Sequence, residues 1–185
     1  MASDNFHIVG RTADIRDVQR TYNWQVQIPA PKAIAGAWPA EDLLLRARSA
    51  AIPGITINTI ESSFMGMKQH FAGNATLEHT LAIEFEEFED QKVLSYLNEW
   101  TKAMFDTQTS TDGGGAITAA EKKSDYAVDV TLDLYANNKE KLDKKITFHG
   151  CWLQNIGSVA LAYGDAASVK YACTFQWDYY TIDKA

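Results

Sequence analysis

Four groups of residues in this 185-residue chain have the types from which chemistry is built. The acidic run "EFEEFED" at 84–90 offers paired carboxylates, as in general acid-base catalysis or a calcium site. It lacks the central glycine and regularly spaced oxygen ligands of a calcium loop, so it reads as the solvated end of a strand entering an acidic helix start. "DGGGAIT" at 112–118 has neither the Gly-Lys-Ser/Thr of a phosphate-cradling loop nor the glycine spacing of a dinucleotide site, and reads as a flexible loop. The histidines, at 7, 70, 79 and 149, are scattered. His79 shares a strand face with Leu77, Leu81 and Ile83, but no second ligand lies two or four residues away, so it reads as a histidine satisfied beside a core. Cys151 and Cys173 lack the spacing partners of a zinc site, and there is no Gly-x-Ser-x-Gly elbow. These patterns nominate no catalytic residue, cofactor or metal.

The totals narrow the function further. There are 24 acidic and 17 basic residues, a net charge of −7, which argues against a sequence-reading DNA binder that neutralises phosphates with a basic footprint. With 46% hydrophobic and 22% charged residues the composition is that of a globular protein, and a single domain of this size buries roughly 70% of its unfolded surface. "MASDNFHIVGRTADIRD" carries charges where a secretory leader needs an apolar core, and no apolar run approaches the ~20 residues that span a bilayer. No export and no membrane insertion are expected, so both cysteines read as reduced thiols and "NAT" at 74–76 as a turn rather than a glycosylation site.

The elements that position these residues are mostly strands. Alternation is cleanest in "DYAVDVTLDLY" at 125–135, with Val128, Val130, Leu132 and Leu134 on one face and Asp125, Asp129 and Asp133 on the other. Similar runs are 22–28, 43–50, 64–72, 75–85, 145–153 and 168–182. In the second-last of these, alternation sets Cys151 on the face opposite Ile146 and Phe148. In the last, it sets Cys173, Phe175, Trp177 and Tyr179 together as core and Thr174, Gln176, Asp178 and Tyr180 outward. One segment, 88–105, reads as helix, with Val93, Leu97, Trp100 and Met104 in a stripe and Glu89 and Asp90 at its positive end. Around these lie an N-terminal arm (1–20), a connection at 29–42, an apolar loop at 51–63 opened by Pro53-Gly54, and a polar, glycine-rich loop at 106–124. Strands in the majority with a single helix describe a β-sandwich or barrel with a packed helix, in one domain over 1–185.

In order and spacing these motifs resemble the tail tube proteins of contractile-tailed bacteriophages, over roughly residues 20–182. The resemblance rests on an aromatic early strand "YNWQVQI", a strand running into the bend at Pro53 and Gly54, a long hairpin with a glycine turn at Gly73, and a helix with Trp100 near its end. At the C-terminus it rests on Gly150, Trp152, Gly157, Phe175, Trp177, Asp178 and Tyr179. Leu153 stands where relatives often carry proline, and 29–42 is longer than the pattern.

The resemblance implies a β-sandwich subunit without enzymatic activity or cofactor, forming hexameric rings that stack into a hollow tube. Sheets join between subunits, a sheath encloses the tube, baseplate and terminator proteins close its ends, and DNA passes through its lumen without being bound. It places the protein in the virion, assembled in the cytoplasm of the host bacterium. On this reading 51–63 is an inter-subunit arm, and the polar positions Thr76, Glu78, Thr80, Glu84, Asp125, Asp129, Asp133 and Gln176 are candidates for lumen or interface. Two other readings stay open: the inner tube of a phage-derived injection device or type VI secretion system, and, more remotely, a β-barrel that binds a small ligand in an aromatic pocket.

Overall fold

The computed structural model describes residues 20–34, 40–106, 118–119, 122–136, 142–163 and 168–184. The arm at 1–20, apart from Arg20, most of the 106–124 loop and the middle of the 29–42 connection lie outside the described residues. In chain order the strands are β1 (Trp24–Gln27), β2 (Ala47–Ala50), β3 (Ile55–Phe64), β4 (Met67–Leu77), β5 (Thr80–Glu86), β6 (Phe105–Asp106), β7 (Thr118–Ala119), β8 (Val128–Tyr135), β9 (Leu142–Ile156), β10 (Lys170–Gln176) and β11 (Tyr179–Lys184). The helices are α1 (Ala40–Arg46), α2 (Lys92–Met104) and α3 (Lys123–Tyr126).

The body is antiparallel, in the order β1-β8-β9-β10-β5-β2, with β11 also on β9. β9 belongs to both halves of this path: residues 144–149 pair with β11, and residues 152–156 pair with β10. One half (β1, β8, the start of β9, β11) and the other (the end of β9, β10, β5, β2) share a single core. Val26, Val130, Leu132, Ile146 and Phe148 come from the first, and Leu81, Ile83, Phe85, Leu153, Cys173 and Phe175 from the second. At about 1.5–3 kcal/mol for each large side chain buried, this common core holds the halves together. The fold is mainly β with few helices, as the strand patterns predict.

α2 closes the core with the predicted stripe: Val93, Leu97, Trp100 and Met104 are all buried. Trp100 lies 5.6 Å from Phe175, and its Nε1 donates to the Tyr126 carbonyl at 2.8 Å, so the buried indole keeps its hydrogen bond. The helix start differs from the sequence reading. Glu87, not Glu89 or Asp90, accepts from the first-turn amides of Val93 (3.2 Å) and Leu94 (2.9 Å).

Several segments depart from strict alternation, each for a local reason. "LLLR" in the predicted 43–50 strand is helical, since Leu and Arg are strong helix formers, and Leu43 and Arg46, three apart, are the buried pair. The predicted 125–135 strand starts at Val128, with Asp125 inside the single turn of α3. The predicted 75–85 strand breaks at Glu78-His79, separating β4 from β5. β9 carries a bulge at His149-Gly150: Val128 pairs with Cys151 and Val130 with Phe148, so two steps on β8 face three on β9. That extra residue shifts the parity and turns Cys151 inward beside Ile146 and Phe148, where it is buried instead of opposite them.

The C-terminal run likewise is not one strand. β10 ends at Gln176, and β11 begins at Tyr179 on the other half of the path. Cys173, Phe175 and Trp177 are buried as predicted, but Tyr179 is 59% exposed and Tyr180 takes the inward place against Phe148 and Trp177.

Candidate assembly interface

The corner between β10 and β11 is built around Gly150. Its φ of +66° lies in the left-handed region, and a Cβ there would overlap Asp178 Oδ2. Asp178 receives both carboxylate contacts of Lys123 Nζ, at 2.5 and 2.6 Å, and its N–H donates to the His149 carbonyl at 3.0 Å. Asp129 accepts from the Gly150 N–H (3.0 Å) through Oδ1 and meets His149 Nδ1 (3.0 Å) through Oδ2. His149 Nε2 lies 3.3 Å from Thr181 Oγ1, and its ring stacks on Tyr179 at 4.5 Å. Carboxylate, imidazole and hydroxyl in this order match a nucleophilic triad, but the Asp129 side chain is 56% exposed and lacks the burial that such a carboxylate needs. The arrangement ties α3, β8, β9 and β11 together at the bend. Trp177 completes it from inside: its backbone N–H donates to the His79 carbonyl (3.1 Å), His79 Nδ1 meets the Trp177 carbonyl (3.2 Å), and the two rings lie 4.8 Å apart.

The acidic run has basic partners at nearly every member. Arg46, buried, spans Asp90 (2.8 and 2.5 Å) and Glu87 (3.3 Å) and lies over the Phe88 ring at 4.8 Å. Arg48 bonds Glu86, and Lys170 bonds Glu84 at 3.2 Å. The hydrogen bonds from Arg46 hold the Asp90 carboxyl down at about 2, and those from Ser168 and Arg48 hold Glu86 down. Glu87, with only 6% of its side chain exposed, is therefore a buried cap and not part of a solvated strand end.

The lumen and interface candidates fall on different surfaces. Thr80, Glu84 and Gln176 share the outer face of β5 and β10, where Thr80 opposes Gln176, Ala82 opposes Thr174, Glu84 opposes Ala172 and Glu86 opposes Lys170. The two glutamates of this face are matched by Lys170 and Arg48, a local charge of zero. Thr76 lies apart, in β4, and Glu78 is exposed in the break between β4 and β5. Asp125 sits in α3, beside Ser124 Oγ at 3.3 Å, and Asp129 belongs to the corner. Asp133 leaves the exposed set: it is 5% exposed, accepts from Gln27 Nε2 at 3.3 Å, and its burial pushes the carboxyl up against the pull of Lys145. Among the signature positions, Trp100, Phe175 and Trp177 are core, Trp152 is half-buried edge-on to Tyr126, and the Gly157 N–H donates to the Ala172 carbonyl. Pro53 and Gly54 form the link from β2 into β3.

What the sequence reading places as a loop at 51–63 is mostly strand. β3 and β4 form a separate two-stranded hairpin that follows β2 and leads into β5. Its turn is Met65-Gly66, both at positive φ (49° and 82°), as tight hairpin turns demand. Gly73, read as the turn, is instead a mid-strand bulge packed against the Asn58 carbonyl and Ile60. Ile55, Ile57, Ile60, Phe64, Met65, Met67 and Phe71 are all more than half exposed.

β1 and β2 each pair on one side only among the described residues, and the projecting hairpin leaves seven large apolar side chains in water. Open strand edges and a large exposed apolar surface of this kind mark sites of protein–protein contact. A family model described as phage tail tube protein matches residues 19–183, and the chain belongs to that family, whose role is structural. Among solved structures it is similar to the tube-terminating cap of an anti-feeding prophage, with a TM-score of 0.60 at 14% identity over 92% of this chain and 94% of that one. It is also similar to a chain of an extracellular contractile injection system sheath-tube complex in the extended state, with a TM-score of 0.56 at 11% identity over 94% and 97%. At these identities the likeness shows the fold. No curated protein sequence matches the chain significantly. Among the described residues no helix is long and apolar enough to cross a membrane.

Proposed function

We propose that the whole chain, 1–185, acts as one tube domain, the inner tube subunit of a contractile phage tail. Six copies close a ring, and rings stack into a hollow conduit inside a sheath, capped by baseplate and terminator proteins. Through it DNA passes into the host, after assembly in the host cytoplasm. The observation that carries this reading is the projecting hairpin, a separate two-stranded ladder that follows β2 and leads into β5 and exposes seven large apolar side chains that a solitary subunit leaves in water.

The outer face of β5 and β10 is the candidate lumen wall. Its small side chains, Ala82, Thr174 and Ala172, and its matched charges give a polyanion no basic wall to adhere to. A tube that carries protein cargo in an injection device would have the same geometry, and the similar solved structures include a contractile injection system sheath-tube complex, which supports keeping that reading as the alternative.

The test is to replace residues 56–76 by a short turn joining β2 to β5. The expected product is a folded subunit with wild-type circular dichroism that forms no tubes. Normal tubes from this variant would remove the hairpin, and the argument built on it, from assembly.

A further inference from the structure

The hairpin has two apolar patches, and they lie on opposite faces. Near the body, Ile55 pairs with Leu77 and Ile57 with Ala75, so these four share one face, while Thr56 and Thr76 share the other. Near the tip the faces exchange character. Ile60 pairs with Phe71 and Phe64 with Met67, while the face continuous with Ile55 and Ile57 now carries Thr59, Glu61, His70 and Lys68. The exchange occurs at the Gly73-Asn74 bulge: Ile57 opposes Ala75 and Thr59 opposes Ala72, so two steps on β3 meet three on β4. The apolar phase of β3 slips at the same level, from 55 and 57 to 60 and 64. Side chains on one surface cannot be buried by contact with the other, so a single flat partner leaves one patch in water.

Resting on the tube reading above, we infer that the hairpin is held between two different copies of this chain, one on the base patch (Ile55, Ile57, Leu77) and another on the tip patch (Ile60, Phe64, Met67, Phe71). Charge favours a copy as the occupant. The chain carries −7 overall, whereas residues 55–77 hold one carboxylate, Glu61, one lysine, Lys68, paired at 2.6 Å, and His70, so the hairpin approaches an acidic sister subunit without repulsion. Assembly asks for two contacts as well: one head-to-tail contact closes a ring, and stacking rings into a tube requires a second, independent one.

The test places a photo-reactive phenylalanine analogue at position 57, at position 64, or at both, in subunits mixed at a low ratio into wild-type chain, with cross-linked peptides mapped by mass spectrometry. The expected result is intermolecular cross-links from the two positions to two different surface regions, with a labelled subunit carrying both probes joined to two neighbours. Tubes in which both probes reach one region of one neighbour, or only their own chain, overturn the two-copy inference and leave the tube reading standing. A chain that stays monomeric with no intermolecular cross-links overturns both.

Discussion

Replacing Gly150 by alanine tests whether the corner is built as described. The residue sits at φ +66°, and alanine in the left-handed region costs about 1–2 kcal/mol. The new Cβ also meets Asp178, whose contact with Lys123 must then open. Those partners are 57% and 40% exposed, so that pair is worth at most about 1 kcal/mol. The expected cost of Gly150→Ala is therefore about 1–3 kcal/mol. In an Asp178→Ala background the overlap is gone and only the backbone cost remains, so the two substitutions together cost less than their sum by about 0.5–1 kcal/mol. Urea unfolding of the unassembled subunit, followed by tryptophan fluorescence because Trp177 lies at this corner, measures all four corners of the cycle. A Gly150→Ala cost below about 0.5 kcal/mol, or strict additivity with Asp178→Ala, refutes the reasoning.

Three further outcomes follow from the same geometry. Arg46→Met leaves Glu87 buried without its partner and is expected to cost about 3–5 kcal/mol by denaturant unfolding; a cost near zero would mean that the cap does not depend on the guanidinium. Asp90, held at about 2 against an ordinary 3.8, stabilises the fold above about pH 4 and loses that contribution as pH falls towards 2, so Asp90→Asn should flatten the fall of Tm across this window, and an unchanged acid limb would contradict the pairing. Burial pushes the Cys151 and Cys173 thiols up to about 12, so at pH 8 both should resist a thiol reagent until denaturant is added, and reaction at full rate in the native protein would refute their placement.

Much of the core was legible because it obeys one period at a time. The stripe Val93, Leu97, Trp100 and Met104 and the alternation of Val128, Val130 and Leu132 come through unchanged. The misreadings fall where a single residue changes the phase. One extra residue at Gly150 turns Cys151 inward, and the step from β10 to β11 sends Tyr179 out and Tyr180 in, neither of which alternation can register. A long hairpin was legible but its first strand and its turn were misplaced, because the turn is Met65-Gly66 and not the Asn-Gly or Asp-Gly pair that signals a tight turn, and because its apolar residues face water, against the expectation for a strand. Asp133 looked solvent-facing by period, yet it is buried, with Gln27 of the neighbouring β1 donating to it; Arg46 gave no signal, since its partners lie some forty residues away. For the assembly surface, the legible clue was an apolar stretch after Pro53-Gly54 in a segment read as a loop.

The central claim, that this chain completes itself by forming a hollow tube, is tested most directly by electron microscopy of the purified wild-type protein across a concentration series. The account predicts six-fold rings at low concentration and stacked hollow tubes at high concentration, with the outer face of β5 and β10 turned to the channel in a reconstruction. Particles that remain single subunits at every concentration, or filaments with no lumen, would contradict it.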